Sequence, residues 1–179
     1  MVARALRGVW ALVCLVLLLG ASSARVEAPA EEYAAKAQFL VDMAVYFRWP
    51  EGREAKGPFV VAVLGRSPFG ARLDALVRAR THQGRPMKVA YAARLADLGP
   101  CDMVFICRSE RRNGAEILEW AKGRGLLTVA EDRELVDRGA MVGLILDAER
   151  LRMHLNLKAL EGEGMGASAQ LMRLAVIAP

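Results

Sequence analysis

Two histidines, His82 and His154, and two cysteines, Cys101 and Cys107, are the side chains best suited to chemistry beyond the N-terminal apolar segment. In Leu151-Arg152-Met153-His154-Leu155-Asn156-Leu157 the apolar residues alternate with polar ones. A strand places alternate side chains on one face, so Arg152, His154 and Asn156 share a face, about 7 Å between neighbours. Such a trio suits a carboxylate ligand or a partner loop, and it equally suits the wet side of an edge strand. His82 stands in the polar stretch Arg80–Gly84, read as a solvated loop. Neither histidine has the companions of a Ser-His-Asp site, and the Cys and His spacing offers no zinc cluster. No catalytic residue, metal or cofactor is expected. Gly65-Arg66-Ser67-Pro68-Phe69-Gly70 follows a strand and opens a helix, a place where anions often bind. It lacks the spacing of a phosphate loop or a dinucleotide fingerprint. Trp49 and Phe69 stand beside turns, where an aromatic ring either caps the core or meets a partner.

Cys101 and Cys107 flank Asp102-Met103-Val104-Phe105-Ile106, which reads as a strand. Six extended steps separate their Cα atoms by roughly 20 Å, while a disulfide needs less than about 7 Å. No bridge between them is expected.

These residues sit in an α/β pattern. Residues 31–49 read as a helix that Pro50 stops. From Phe39 to Phe47 only Asp42 is polar, so this helix is buried on several sides or covered by a partner. Strands are expected at Phe59–Leu64, Met87–Tyr91, Met103–Cys107, Leu126–Ala130, Met141–Leu146 and Leu151–Leu157. Helices are expected at Pro68–Ala79, Asn113–Lys122 and Ala167–Ala175, with a short turn at Leu135-Val136. Gly162, Gly164 and Gly166 read as loop. The result is a mostly parallel central sheet of about six strands, helices on both faces, and an antiparallel C-terminal hairpin.

The N-terminus reads as a secretory signal peptide over residues 1–24: Arg4 and Arg7, the apolar run Val9–Leu19, then Ala21-Ser22-Ser23-Ala24. The run is shorter than the about 20 residues of a membrane-spanning helix. Cleavage leaves residues 25–179, the size of one domain, and takes two positive charges from the formal +5. The remaining surplus is mild and interleaved with acids, unlike a nucleic-acid-binding stripe.

Several segments together resemble the YfiR-like family of periplasmic regulators, from Glu32 to about Ala175. They are Tyr33–Leu40 with Phe47-Arg48-Trp49-Pro50, Val63-Leu64-Gly65 with Pro68-Phe69-Gly70, and Gly84-Arg85-Pro86. Cys101–Ile106, Leu127-Thr128-Val129, Gly139-Ala140-Met141, Arg152–Asn156 and the final helix from Ser168 continue the series. The family's later cysteine pair has no counterpart here. The resemblance implies a dimer-forming, non-enzymatic α/β protein of the periplasm. It would bind the periplasmic sensor region of an inner-membrane diguanylate cyclase, repress it, and so lower cyclic-di-GMP and biofilm formation. A periplasmic small-molecule sensor or binding protein is the alternative, with its pocket near Ser67–Gly70 or beside Arg152 and His154.

Overall fold

The computed structural model describes residues 27–50 and 57–178. The expected leader lies outside them. The chain divides into two compact units, residues 1–32 and 33–179. Of the first, residues 27–32 are described and open helix α1 (Glu27–Asp42). The second carries the sheet.

Five strands form the parallel centre: β2 (Phe59–Leu64), β4 (Arg85–Ala92), β5 (Met103–Ile106), β6 (Leu127–Ala130) and β7 (Val142–Asp147). Their spatial order is β4-β2-β5-β6-β7, a doubly wound arrangement in which the chain reverses direction beside its first strand. Crossovers of one hand on a sheet built both ways must use both faces. Accordingly α2 (Arg72–Val77), joining β2 to β4, buries Leu73 and Val77 on one face. Helices α3 (Gly114–Ala121) and α4 (Arg133–Asp137) bury Ile117, Leu118, Ala121 and Leu135 on the other. Period-two geometry splits each strand between the two cores. Val61, Val63 and Phe105 pack with α1, whereas Ala62, Leu64, Val104 and Ile106 pack with α3. All six side chains of β2 are buried, which is why its sequence is an unbroken apolar run.

The antiparallel hairpin joins β7 to β8 (Arg150–Leu155). Its two-residue turn places Ala148 (φ 45°) and Glu149 (φ 62°) in the left-handed region, as this turn class demands. Neither is a glycine, so the turn stores strain.

Several elements depart from the sequence expectation. The first helix gives way at Met43–Tyr46 to a 3-10 turn, and Phe47–Arg48 become strand β1. Pairing with β9 (Gly166–Ala167), and a hydrogen bond from the Ser168 amide to the Tyr46 carbonyl at 2.8 Å, supply the backbone partners that override the helical pattern. The strand expected at Leu151–Leu157 ends at Leu155. Asn156 instead caps a further helix, α5 (Leu157–Gly162), its side-chain oxygen accepting from the Ala159 amide at 2.9 Å. Ser168 caps α6 (Ala169–Leu174) in the same manner, accepting from the Leu171 amide at 3.2 Å. Two further edge strands, β3 (Thr81–His82) beside β4 and β10 (Val176–Ile177) beside β8, bring the sheet to eight. Each is two residues long, too short for a periodic signal.

Candidate functional site

Helix α1 turns Ala37, Leu40 and Val41 into the core, and the 3-10 turn adds Ala44. Its outward side is apolar too: Phe39 is 39% exposed, and Val45 in the 3-10 turn is 64% exposed. Opposite Phe39, α6 presents Leu174 at 79% exposure. Between them runs a groove of about 330 Å3 lined by Phe39, Met43, Tyr46, Met153, Leu171 and Leu174, with Gln38, Asp42 and Gln170 at its margins. A contiguous apolar patch with a polar rim marks a surface that meets another molecule.

At the carboxyl ends of β2 and β5, the reversal point where a doubly wound sheet usually opens its ligand crevice, side chains from the segment after β5 close the space. Gly65 (φ 98°) closes β2, and a Cβ there would collide with Ser109 Oγ. Ser109 Oγ in turn accepts from the Arg66 amide at 3.0 Å. Beside this plug, a polar knot ties α1 to the sheet. Glu131, directly after β6, accepts from Tyr33 Oη and from Lys36 Nζ at 2.9 Å each, and from the Arg108 amide at 2.7 Å. The Lys36 and Glu131 side chains are only 0% and 2% exposed. A charge removed so completely from water persists only when paired and hydrogen-bonded. Cys107, buried beside the knot, has its thiol pushed up to about 12 by burial and then by the Glu131 and Glu110 carboxylates. It stays protonated and a poor nucleophile. Cys101 is half-buried at the opposite end of β5.

A second knot braces the amino ends of the same strands. Asp102 accepts from Arg85 Nη1 at 2.8 Å and Nη2 at 3.1 Å, and from the Val60 amide at 2.6 Å. Arg85 also donates to the Gly57 and Pro58 carbonyls at 2.9 and 2.7 Å.

The residues singled out from sequence do not converge. Phe69 is buried in the core, 4.9 Å from the Phe105 ring and 6.0 Å from Tyr33. Trp49 is half-buried against Phe47, Phe59 and His82, its Nε1 without a hydrogen-bond partner among the described residues. Arg152 is exposed and 3.6 Å from Asp147. His154 is buried, its Nδ1 3.5 Å from Arg133 Nη2 and its Nε2 without a partner among the described residues. Asn156 is a helix cap whose amide donates to the Val136 carbonyl at 2.9 Å. His82, expected in a solvated loop, is instead buried in β3 against Phe59 and Trp49. Antiparallel pairing of β3 with Arg85-Pro86 carries it inward.

Sequence reasoning assigned no role to Lys36, Glu131, Arg85, Asp102 or the Phe39–Leu174 groove. The first four are polar residues whose partners lie far away in the chain. Their only signal was position: Lys36, Arg85 and Asp102 fall inside the motifs Tyr33–Leu40, Gly84-Arg85-Pro86 and Cys101–Ile106.

Both histidines titrate below the ordinary value. Burial lowers His82 most and the Arg85 guanidinium lowers it further, with Asp102 opposing. Burial and then Arg133 and Arg152 lower His154, against Asp147 and Asp137. The unfolded chain therefore binds more protons than the folded one below pH 6.5, the ordinary histidine value. The stability involved is fully present above that pH and is lost as pH falls toward the depressed folded values. Thermal melts from pH 7.5 to 5 are expected to show falling Tm, with a shallower fall for His82→Gln. Identical slopes for the variant and the parent would contradict this origin.

Fold and site together define a doubly wound α/β domain with an antiparallel C-terminal extension, closed at the carboxyl end of β2 and bearing an apolar groove on α1 and α6. Among the described residues no helix is long and apolar enough to cross a membrane. The chain belongs to the YfiR/HmsC-like family, whose model matches residues 33–176, and that family is one of periplasmic, non-enzymatic repressors of diguanylate cyclases. No curated protein matches the chain.

Proposed function

We propose that this chain, exported to the periplasm by its N-terminal leader, binds the periplasmic sensor region of an inner-membrane diguanylate cyclase. Binding holds the cyclase inactive, lowering cyclic-di-GMP and biofilm formation, with no chemistry by the regulator itself. Membership of the YfiR/HmsC-like family over residues 33–176 carries the reading. The groove between α1 and α6 supplies a surface of the right character: apolar at its centre, polar at its margins, and open.

The test is co-expression of the chain with membrane cyclases of its host, reading cyclic-di-GMP and capture by the exported chain. Capture of a cyclase together with a lower cyclic-di-GMP level is the expected result. Failure to capture or repress any of them overturns the reading. Burying a Phe or Leu side chain at an interface is worth roughly 1.5–3 kcal/mol. Phe39→Glu and Leu174→Glu are therefore each expected to weaken capture about tenfold or more, while their exposure leaves Tm close to that of the parent. The family resemblance also implies a homodimer. Should these variants lose dimer mass but keep cyclase capture, the groove belongs to a second copy and the cyclase docks elsewhere.

A further inference from the structure

We infer that a cavity between α3, α5 and the α4–β7 turn is a binding site for a small organic acid, an apolar body bearing one carboxylate. The cavity measures about 510 Å3, within the range of small-molecule pockets. It lies by the amino ends of β6 and β7, away from both the Glu131 knot and the α1–α6 groove.

Its composition sorts by depth. Leu118 and Ala121 of α3 and Met141 before β7 provide apolar walls. Two buried polar side chains, Thr128 and Asn156, also line it. The Thr128 hydroxyl accepts from the Met141 amide at 3.0 Å, and the Asn156 amide gives one proton to the Val136 carbonyl. A hydroxyl that accepts still has its own proton to donate, and a side-chain amide has two, so each can offer a further donor to a ligand. The rim is cationic: Lys122, Arg138 and Lys158 all line the cavity and all are exposed.

Charge at the rim favours an anion. Lys122 pairs with Glu119 and Arg138 with Glu134, both on the open surface, where such pairs are worth little and are easily exchanged. Lys158 forms no ion pair among the described residues. Against these three cations stand Asp137 and Glu163. Both Glu163 oxygens already accept from the Gly123 amide at 2.9 Å, a strut that fastens the end of α3 to α5. The surplus is positive, and the apolar walls favour a ligand whose remainder is hydrocarbon rather than a small inorganic anion.

This inference is independent of the partner reading, and its test requires no partner. Octanoate, octanol and acetate are titrated into the exported chain at low salt, with calorimetry and Tm as readouts. Octanoate is expected to bind and raise Tm, with octanol and acetate each at least tenfold weaker. Lys122→Ala/Arg138→Ala/Lys158→Ala is expected to reduce octanoate affinity at least tenfold and leave octanol unchanged. Lys158→Glu, a single change at an exposed residue, gives the same comparison if the triple variant unfolds. Absence of octanoate binding, parity with octanol, or undiminished affinity in a folded variant overturns the assignment.

Discussion

Glu131→Ala is expected to destabilise the fold by about 3–5 kcal/mol, the cost of removing one partner from a buried ion pair. Three donors lose the Glu131 carboxylate together: Tyr33 Oη, Lys36 Nζ and the Arg108 amide. The ammonium is the most costly, since Lys36 is fully buried and loses its 2.9 Å carboxylate partner. Against a total stability of about 5–15 kcal/mol for an ordinary domain, such a loss leaves a substantial unfolded fraction. Lys36→Met/Glu131→Gln takes both charges away. The new amide oxygen can still accept from the Arg108 amide while its NH2 donates to the Tyr33 hydroxyl, and the methionine refills the volume. Replacing a whole buried pair is often neutral or stabilising, so the double variant is expected to recover most of the loss. Urea unfolding checks both, provided the slope m stays constant between variants. A Glu131→Ala penalty below about 1 kcal/mol would show that the pair is not held in the dry setting described here.

The consequence of this knot for the fold is positional. Glu131 holds Tyr33 and Lys36 of α1 over the strand ends, and α1 and the 3-10 turn after it present Phe39 and Val45 outward. The groove that we assign to the partner is thus held by a polar contact buried out of sight of it. Breaking the knot is therefore expected to weaken partner capture even though Phe39 and Leu174 are untouched.

The central sheet was legible because burial on both faces leaves an unmistakable mark. Phe59–Leu64 is an unbroken apolar run and Leu127–Ala130 is apolar but for Thr128, and both are strands. The C-terminal region was harder to read. In Leu151–Leu157 the alternation is real up to Leu155, but Asn156 fits a polar strand position and a helix N-cap equally well. Only the tertiary context decides, through the Asn156 amide proton on the Val136 carbonyl. The tiny strands β1, β3, β9 and β10 owe their existence to partners distant in the chain, and no window of sequence contains those partners.

The site was less legible than the fold for a related reason. Lys36 falls in a run of good helix formers, where a lysine ordinarily faces solvent. Nothing local reveals that Glu131 comes to meet it from 95 residues away. The outward apolar side of α1 was visible, since the Phe39–Phe47 segment is too apolar for a helix with one wet face. Its groove was not, because the opposite wall is Leu174, a residue that sequence pattern alone would assign to the core.

Arg85→Lys is expected to destabilise nearly as much as Arg85→Ala, by about 3 kcal/mol in each case. The charge is retained by lysine, so a purely Coulombic contact would survive the change. The geometry would not. Arg85 uses its planar fork to hold both Asp102 oxygens while Nε and Nη2 reach the Gly57 and Pro58 carbonyls. A lysine is a point charge with one nitrogen and cannot serve four acceptors lying in different directions. Asp102 Oδ2 also accepts from the Val60 amide, so a displaced carboxylate loosens the β2–β5 junction as well as β4. The acid limb of stability separates the two variants. Arg85 helps to depress the titration of His82, so Arg85→Ala lets it rise toward the ordinary value and lessens the proton uptake on unfolding. Its stability is therefore expected to fall less steeply between pH 6.5 and 5, whereas Arg85→Lys, still cationic, keeps more of the parental slope. A lysine variant as stable as the parent would show that charge alone, and not the fork, secures the amino ends of the strands.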